Sequence, residues 1–105
     1  MTAYVVELDL DGVTDKAGLM DRCAETLALP AWFGRNWDAL ADSLADPDVW
    51  PDEVGDRDLL LLVRGWRPYA RVRPQEWETA LDVFTQAMGG MPALTVRLAL
   101  GGSSQ

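Results

Sequence analysis

Three runs of apolar residues along the chain predict β-strands. Tyr4 to Leu10 is rich in β-branched and apolar residues, and Asp11-Gly12 ends it with residues that favour turns. Leu59 to Val63 is a continuous apolar run with Gly65 close behind it. Such a run is typical of a strand buried on both faces of a parallel sheet. Ala93 to Leu100 alternates weakly and is the third predicted strand.

Between these runs, apolar residues recur at spacings of three and four positions, which predicts amphipathic helices. The first helix can begin at either Thr14 or Asp15, because both side chains are good N-caps. The second begins at Asn36 for the same reason, and the last begins at Pro74, which suits a first helical turn. The predicted helices cover 15–28, about 36–46, a short turn within 67–73, and Pro74 to Gly89-Gly90.

Strands that alternate with helices predict an α/β fold with a parallel sheet and right-handed crossovers. The element order predicts a three-stranded parallel sheet covered by three to four helices. A length of 105 residues fits one domain, so we expect residues 1–105 to form a single unit. Hydrophobic residues make up 49% of the chain, which excludes a disordered protein and predicts a packed core.

The charge is strongly negative and unevenly distributed. The net charge is −8, and residues 1–56 carry 13 acidic and three basic residues against four and six in residues 57–105. A phosphate backbone repels such a surface, so we expect no nucleic-acid partner. A basic protein is the favoured partner, because complementary fields speed encounter. Solubility alone is the competing explanation of the charge.

The residue types argue against catalysis and against a bound cofactor. The chain has no histidine, which removes the commonest general base and metal ligand, so we expect no enzyme activity, metal or cofactor. Its one cysteine, Cys23, lies in a helical pattern and is expected to be a buried apolar residue. The N-terminus lacks the features of a signal peptide, and no apolar run is long enough for a membrane span. We therefore expect a cytoplasmic protein with no membrane partner.

The second predicted helix carries its acidic residues on one side. At about 100° per residue, Asp38, Asp42 and Asp46 lie within an arc of about 80°, so two or three carboxylates share one face. The apolar residues Trp37, Leu40, Ala41 and Leu44 occupy another arc. Like charges four residues apart destabilise an isolated helix, which indicates either a binding surface or merely a solvated polar face.

The segment Leu-Pro-Ala-Trp-Phe-Gly-Arg-Asn-Trp-Asp-Ala-Leu-Ala-Asp-Ser-Leu at 29–44 resembles the signature of the barstar family of ribonuclease inhibitors. About thirteen positions match in residue type without a gap, and the element order of nearly the whole chain agrees. The resemblance implies a barstar-like fold and a one-to-one complex with a basic, guanyl-preferring ribonuclease of the barnase type. It also implies that the second helix and the loop before it enter the active site of that enzyme.

The resemblance carries site roles onto particular residues of this chain. Asp42 matches the central acidic contact of the family, and Asp38 matches its acidic neighbour. Trp32 replaces an aromatic that packs on an active-site histidine. The other implied contacts are Gly34, Asn36, the bulky Trp37, Ala41 and Gln86, to which we add Phe33 from the loop and Asp46 from the acidic face.

The chain departs from the family pattern at several of these positions. Ala41 stands where the family has an interface tryptophan, Gln86 stands where it has an acid, and Ser43 stands where it usually has a cysteine. A Gly-Trp pair beyond the helix is also missing. Residues 46–50, Asp-Pro-Asp-Val-Trp, stand in its place within an irregular acidic stretch at 46–57, a longer loop than usual. We expect Asp46, Asp48 or Trp50 to replace the lost contacts.

Three alternatives stay open on the sequence. The first is an immunity or interaction protein of the same fold whose basic target is not a ribonuclease. The second is an enzyme that uses Asp38 and Asp42 as an acid–base pair or as Mg²⁺ ligands. The third is nucleic-acid binding through the second half, where aromatics Trp66 and Tyr69 are interleaved among arginines at 57, 64, 67, 71 and 73.

Overall fold

A computed structural model describes residues 3–99, and these residues contain one three-stranded sheet. The strand order is β1-β2-β3, and both neighbouring pairs are parallel, as the sequence predicts. The last strand is shorter than predicted, because Ala93 and Ala99 lie outside it; the final expected residue, Leu100, lies outside the described residues. The strands are β1 (Tyr4–Asp9), β2 (Leu59–Arg64) and β3 (Leu94–Leu98).

The described part of the chain contains four α-helices, which lie in the connections between the strands and confirm the predicted α/β class. No helix within residues 3–99 is long and apolar enough to cross a membrane. Single 3₁₀ turns at Pro47–Val49 and Asp52–Val54 interrupt the segment that the sequence predicts to be irregular. The helices are α1 (Lys16–Thr26), α2 (Trp37–Leu44), α3 (Arg67–Val72) and α4 (Pro74–Gly90).

The helix boundaries follow local capping chemistry. Asp15, not Thr14, caps α1, because its Oδ1 accepts a hydrogen bond of 2.9 Å from the backbone N–H of Gly18. At the other end of the chain, α4 includes the glycine pair that was predicted to stop it, and its C-cap is Met91. The second helix ends at Leu44, two residues earlier than predicted, because Asp46 instead caps the following 3₁₀ turn.

The connecting helices lie on one side of the sheet, where α1 packs against β1 and α4 against β3, while α2 and α3 pack on α4. The chain moves from β1 to β2 to β3 in one direction, so two right-handed crossovers place their helices on one side. Burial follows this arrangement. Leu59, Leu61 and Val63 of the central strand point into the helical layer and are fully buried, whereas Leu60 and Leu62 point away from it and are half-buried.

The expectation that β2 is buried on both faces is therefore correct for one face only. Side chains of the flanking strands shield the second face only in part, and Val5 on β1 is 49% exposed there. The sequence pattern misled because a continuous apolar run does not distinguish a covered face from one shielded by neighbouring strands.

The core fills the space between the sheet and the helices. Cys23 is completely buried in it, and burial raises the pKa of its thiol to about 12, so it is a packed apolar group and not a nucleophile. Tyr69 is also buried, and its hydroxyl donates to Oε1 of Glu76 at 3.0 Å. Burial, followed by this contact with a carboxylate, raises the pKa of the Tyr69 hydroxyl.

Gly65 ends the central strand where the chain passes close to the end of β1. Its φ is +64°, in the left-handed region that favours glycine. A Cβ at this position would lie 2.9 Å from the backbone nitrogen of Asp11 and 2.9 Å from Oδ1 of Asp9. The turn after β2 therefore requires glycine for both its backbone conformation and its space.

We predict that Gly65→Ala lowers the free energy of unfolding by at least about 2 kcal/mol, because it adds left-handed strain and a collision with backbone. Urea unfolding monitored by tryptophan fluorescence measures the change. Gly89→Ala is the matched control, since a Cβ there meets nothing within 4 Å and lies in a helix. That control should gain about 0.5 kcal/mol. Similar stability of both variants would contradict the assignment of Gly65.

Candidate protein-binding site

Helix α2 is held in place by its cap and by its apolar side. Asn36 begins the helix as predicted, because its Oδ1 accepts from the backbone N–H of Ala39 at 2.7 Å. Leu40 and Leu44 are completely buried, and the helix packs against α4. The predicted apolar arc is thus confirmed, and it fixes the rotation of the helix about its own axis.

This rotation points Asp38 and Asp42 to solvent on the same side of the helix. Both residues are exposed, and their Cβ atoms are separated by about 6 Å, as one helical turn dictates. No hydrogen bond or ion pair among residues 3–99 engages either carboxylate. Asp38 lies in the first turn, where the helix dipole favours an anion. The two carboxylates therefore have their hydrogen-bonding capacity available for a partner.

The aromatic loop before α2 separates its two rings. Residues 30–33 form a turn in which the backbone N–H of Phe33 donates to the carbonyl of Pro30 at 2.9 Å. Trp32 lies at the tip of this turn and is 73% exposed, whereas Phe33 points into the core and is 4% exposed. Trp32 is thus exposed in the loop that leads into α2, and the Phe33 ring offers a partner almost no surface.

Gly34 and Asn36 join the aromatic loop tightly to the helix. The Nδ2 of Asn36 donates to the carbonyl of Gly34 at 3.3 Å, and a Cβ on Gly34 would lie 3.0 Å from that nitrogen. Both polar ends of the Asn36 side chain are therefore used within the chain. These two residues hold the loop against the helix. Asn36 is exposed, so the partner contact that the sequence predicts for it stays a prediction, although its Oδ1 and Nδ2 already make hydrogen bonds within the chain.

Arg35 is a feature of the site that the sequence reasoning missed. It is not glycine, yet it has a φ of +51°. Its Nε lies 3.1 Å from Oδ1 of Asp21 on α1, in an ion pair with both side chains more than half exposed. This contact ties the loop to α1 and places a cation beside the acidic face. The sequence offered one indication of this role, namely a positively charged residue between Gly34 and the cap residue Asn36.

The segment beyond α2 does not extend the acidic face as expected. Asp46 lies past the end of the helix, and its Oδ1 accepts from the backbone N–H of Asp48 at 3.0 Å. Trp50 is 7% exposed, and its Nε1 donates to the carbonyl of Leu44 at 3.0 Å, which satisfies the end of α2. The expectation that Trp50 replaces a lost partner contact is therefore wrong, because the ring is packed inward. Asp48 is exposed.

The remaining predicted contacts lie at different depths around α2. Trp37 is half-buried, with the Nζ of Lys16 5.8 Å from its ring centroid. Ala41 is 7% exposed and belongs to the core, so its side chain adds little to any surface. Gln86 is exposed on α4, the helix against which α2 packs. Trp32, Asp38 and Asp42 are thus all exposed on α2 and the loop before it, whereas Phe33 and Ala41 are buried.

Four of the six arginines of the second half make contacts within the chain. Arg64 pairs with Glu7 at 2.9 Å, and Arg73 donates from Nε to the carbonyl of Thr14 at 3.1 Å. The guanidinium of Arg57 lies over the ring of Tyr4, at 4.8 Å from the centroid. Arg67 similarly lies 5.1 Å from the ring centroid of Trp66, which stacks on Trp77. These contacts favour a structural role for the basic residues over a nucleic-acid surface.

The chemistry available at the acidic face is that of hydrogen-bond acceptors. Within residues 3–99 no group of three or more acidic or cysteine side chains is arranged to hold a metal ion. Two neighbouring carboxylates can accept charge-assisted hydrogen bonds from arginine or lysine, and a carboxylate can accept two in parallel from one guanidinium. The site is therefore suited to a cationic partner.

A three-stranded parallel sheet with its helices on one side, an exposed acidic helix and an exposed tryptophan describe a small α/β protein. Comparison with family models matches residues 3–99 to the family described as Barstar (barnase inhibitor). The chain belongs to the barstar family. Members of this family are inhibitors that bind a ribonuclease such as barnase. A search of curated proteins found no match.

The two adjacent aromatics provide a test of this site. We predict that Phe33→Ala lowers the free energy of unfolding by about 3 kcal/mol, because it leaves a cavity in the core. Trp32→Ala should change it by less than about 0.5 kcal/mol, since the ring is already in solvent. Urea unfolding of the two variants measures both values. A large loss for Trp32→Ala would show that this ring is packed and not presented.

Proposed function

We propose that this chain inhibits a basic, guanyl-preferring ribonuclease of the barnase type by occupying its active site. Asp38 and Asp42 enter the cleft, and Trp32 packs beside them. The observation that carries the proposal is the exposure of these two carboxylates on one side of α2, with no partner in residues 3–99, together with an exposed tryptophan in the loop before the helix. The complex has one inhibitor per enzyme.

The physical basis of the proposed inhibition is mimicry of an RNA phosphate. A ribonuclease cleft holds the phosphate with cationic side chains, and a helix carboxylate offers oxygens of the same charge to the same donors. Burial in the cleft strengthens each hydrogen bond, but it also makes every unpaired charge costly. Inhibition therefore depends on matched pairs and not on the net charge alone.

The acidic face is already ordered before any partner binds. The cap by Asn36 and the packed residues Leu40 and Leu44 hold the helix in place, and the exposed ion pair between Arg35 and Asp21 links its loop to α1. A preformed surface loses little conformational entropy on association, so more of the contact energy appears as affinity. This favours a tight inhibitor over a segment that folds on binding.

The proposal also assigns a cellular role. An inhibitor of a secreted ribonuclease protects the cell that makes the enzyme, so we place this protein in the cytoplasm as an immunity protein. Its net charge of −8 attracts a basic enzyme over distances longer than direct contact. The proposed complex leaves no role for nucleic acid or a membrane.

A different basic toxin of another activity is the second candidate target. The observation in its favour is the poor surface at two expected contacts, since Ala41 is 7% exposed and Gln86 carries no charge. A target that lacks a large apolar contact opposite Ala41 would fit this surface equally well. This candidate is favoured if the protein inhibits none of the ribonucleases tested but binds a basic toxin of another activity.

We predict that Asp42→Ala raises the dissociation constant for barnase by at least about 30-fold, or about 2 kcal/mol, because it leaves enzyme cations buried without a partner. The complex of barnase with barstar, for which the family is named, is itself a standard example of such charge pairs. Inhibition titrations with a fluorogenic RNA substrate measure the change. Glu78→Ala is the control, since Glu78 is exposed on α4, and it should change the constant by less than about threefold.

Equal, small effects of Asp42→Ala and Glu78→Ala would contradict the proposed contact, provided that thermal unfolding shows both variants to be folded. If the partner is not a ribonuclease but Asp42→Ala still weakens its binding by a similar factor, the proposed site stands and only the proposed target is wrong.

We predict that the association rate with barnase falls at least about tenfold between about 50 mM and about 500 mM NaCl, because salt screens the attraction between opposite charges. The complex of barnase with barstar is also a standard example of association accelerated by electrostatic attraction. Stopped-flow fluorescence measures the rate, and the dissociation rate should change much less. An association rate that is independent of salt would exclude electrostatic steering.

A further inference from the structure

The sheet face opposite the helices is an ordered surface that the acidic site does not use. Its upper row consists of Val5, Leu60 and Thr95, which pair across the three strands, and Val5 is 49% exposed. The next row consists of Glu7, Leu62 and Arg97. Parallel sheets usually have both faces covered, so this half-exposed face is suited to a partner surface.

The charges on this face are arranged so that the face complements itself. Glu7 lies on one edge strand and Arg97 lies on the other, at the same level of the sheet, with Leu62 between them. A two-fold rotation about an axis parallel to β2 lays the face on a second copy of itself. It then brings β1 of each copy opposite β3 of the other. Each Glu7 faces an Arg97, and the central leucines face each other.

The groups needed for these pairs are available. Arg64 uses Oε1 of Glu7 in an ion pair of 2.9 Å, which leaves the second carboxylate oxygen for another cation. The same pair draws Arg64 away from the axis toward its own β1. No ion pair within residues 3–99 includes Arg97, and Arg97 is exposed.

We propose that a second copy of this chain docks on this open sheet face and forms a symmetric dimer through the Leu60 and Leu62 strip and two Glu7–Arg97 pairs. The helices, including α2, lie on the other side of each sheet. Both acidic faces therefore stay accessible, and the dimer binds two ribonucleases as readily as two monomers do. The proposal is independent of the proposed inhibition.

The size of the face determines how strong this dimer is. Three strands of five or six residues cover only about 20 Å by about 14 Å. Stable complexes bury about 800 Å² on each partner, so this contact belongs to the weak class. The net charge of −8 on each copy adds a general repulsion. We therefore expect reversible dimerisation that depends on protein concentration.

Sedimentation velocity between about 10 µM and about 1 mM protein in about 0.15 M salt tests the proposal. The weight-average sedimentation coefficient should rise toward that of a dimer across this range. Glu7→Arg alone and Arg97→Glu alone should each remain monomeric, because each places like charges opposite one another twice. Glu78→Arg, a charge reversal on the exposed side of α4, should dimerise at least as strongly as the unmodified chain.

Mixing the two monomeric variants separates a dimer contact from a folding defect. In a mixed pair, Arg at position 7 faces Glu at position 97, and the unmodified Arg97 faces the unmodified Glu7, so both attractive pairs are restored. We expect the equimolar mixture to dimerise. A monomer at every concentration, a dimer unaffected by either single variant, or a mixture that stays monomeric would each overturn the proposal.

Discussion

The burial of one side of α2 is the constraint on which the rest of the site depends. Leu40 and Leu44 have no exposure, so the helix cannot rotate without opening the core. Asp38 and Asp42 are held outward by the same packing, although an isolated helix would gain from separating them. The hydrophobic effect thus supplies the free energy that keeps two like charges side by side. A charged pair kept together in this way is ready to meet cations on another protein.

The order of strands in the sheet gives the molecule two different surfaces. Because both crossovers run in one direction, the helices and the acidic site share one side, and the other side keeps an open face. The helical side carries the exposed carboxylates of Asp38 and Asp42 on α2. The open side carries both signs of charge in register, with Glu7 and Arg97 at opposite edges. The family match over residues 3–99 covers all the strands and helices that carry these two surfaces.

The sequence predicted the elements well because their signals are local. Asn36 is a strong cap at the start of an apolar arc, and Leu59 to Val63 is too apolar for an exposed segment. The directions of neighbouring aromatics were less predictable. Phe33 and Trp32 are both aromatic, and only the turn formed by residues 30–33 decides which ring is buried. The same holds for Trp50, whose inward ring donates a hydrogen bond to the carbonyl of Leu44 at the end of α2, six residues earlier in the chain. Contacts of this kind leave no periodic pattern.

Competition with a nucleotide tests the central claim of phosphate mimicry most directly. Guanosine 3′-monophosphate presents the phosphate that the acidic helix is proposed to replace in a guanyl-preferring ribonuclease. Titration calorimetry of this protein into barnase, repeated at rising nucleotide concentration, measures whether the two exclude each other. The account predicts an apparent dissociation constant that increases in proportion to the nucleotide concentration once the nucleotide saturates the enzyme. An unchanged constant, with both molecules bound together, would contradict it.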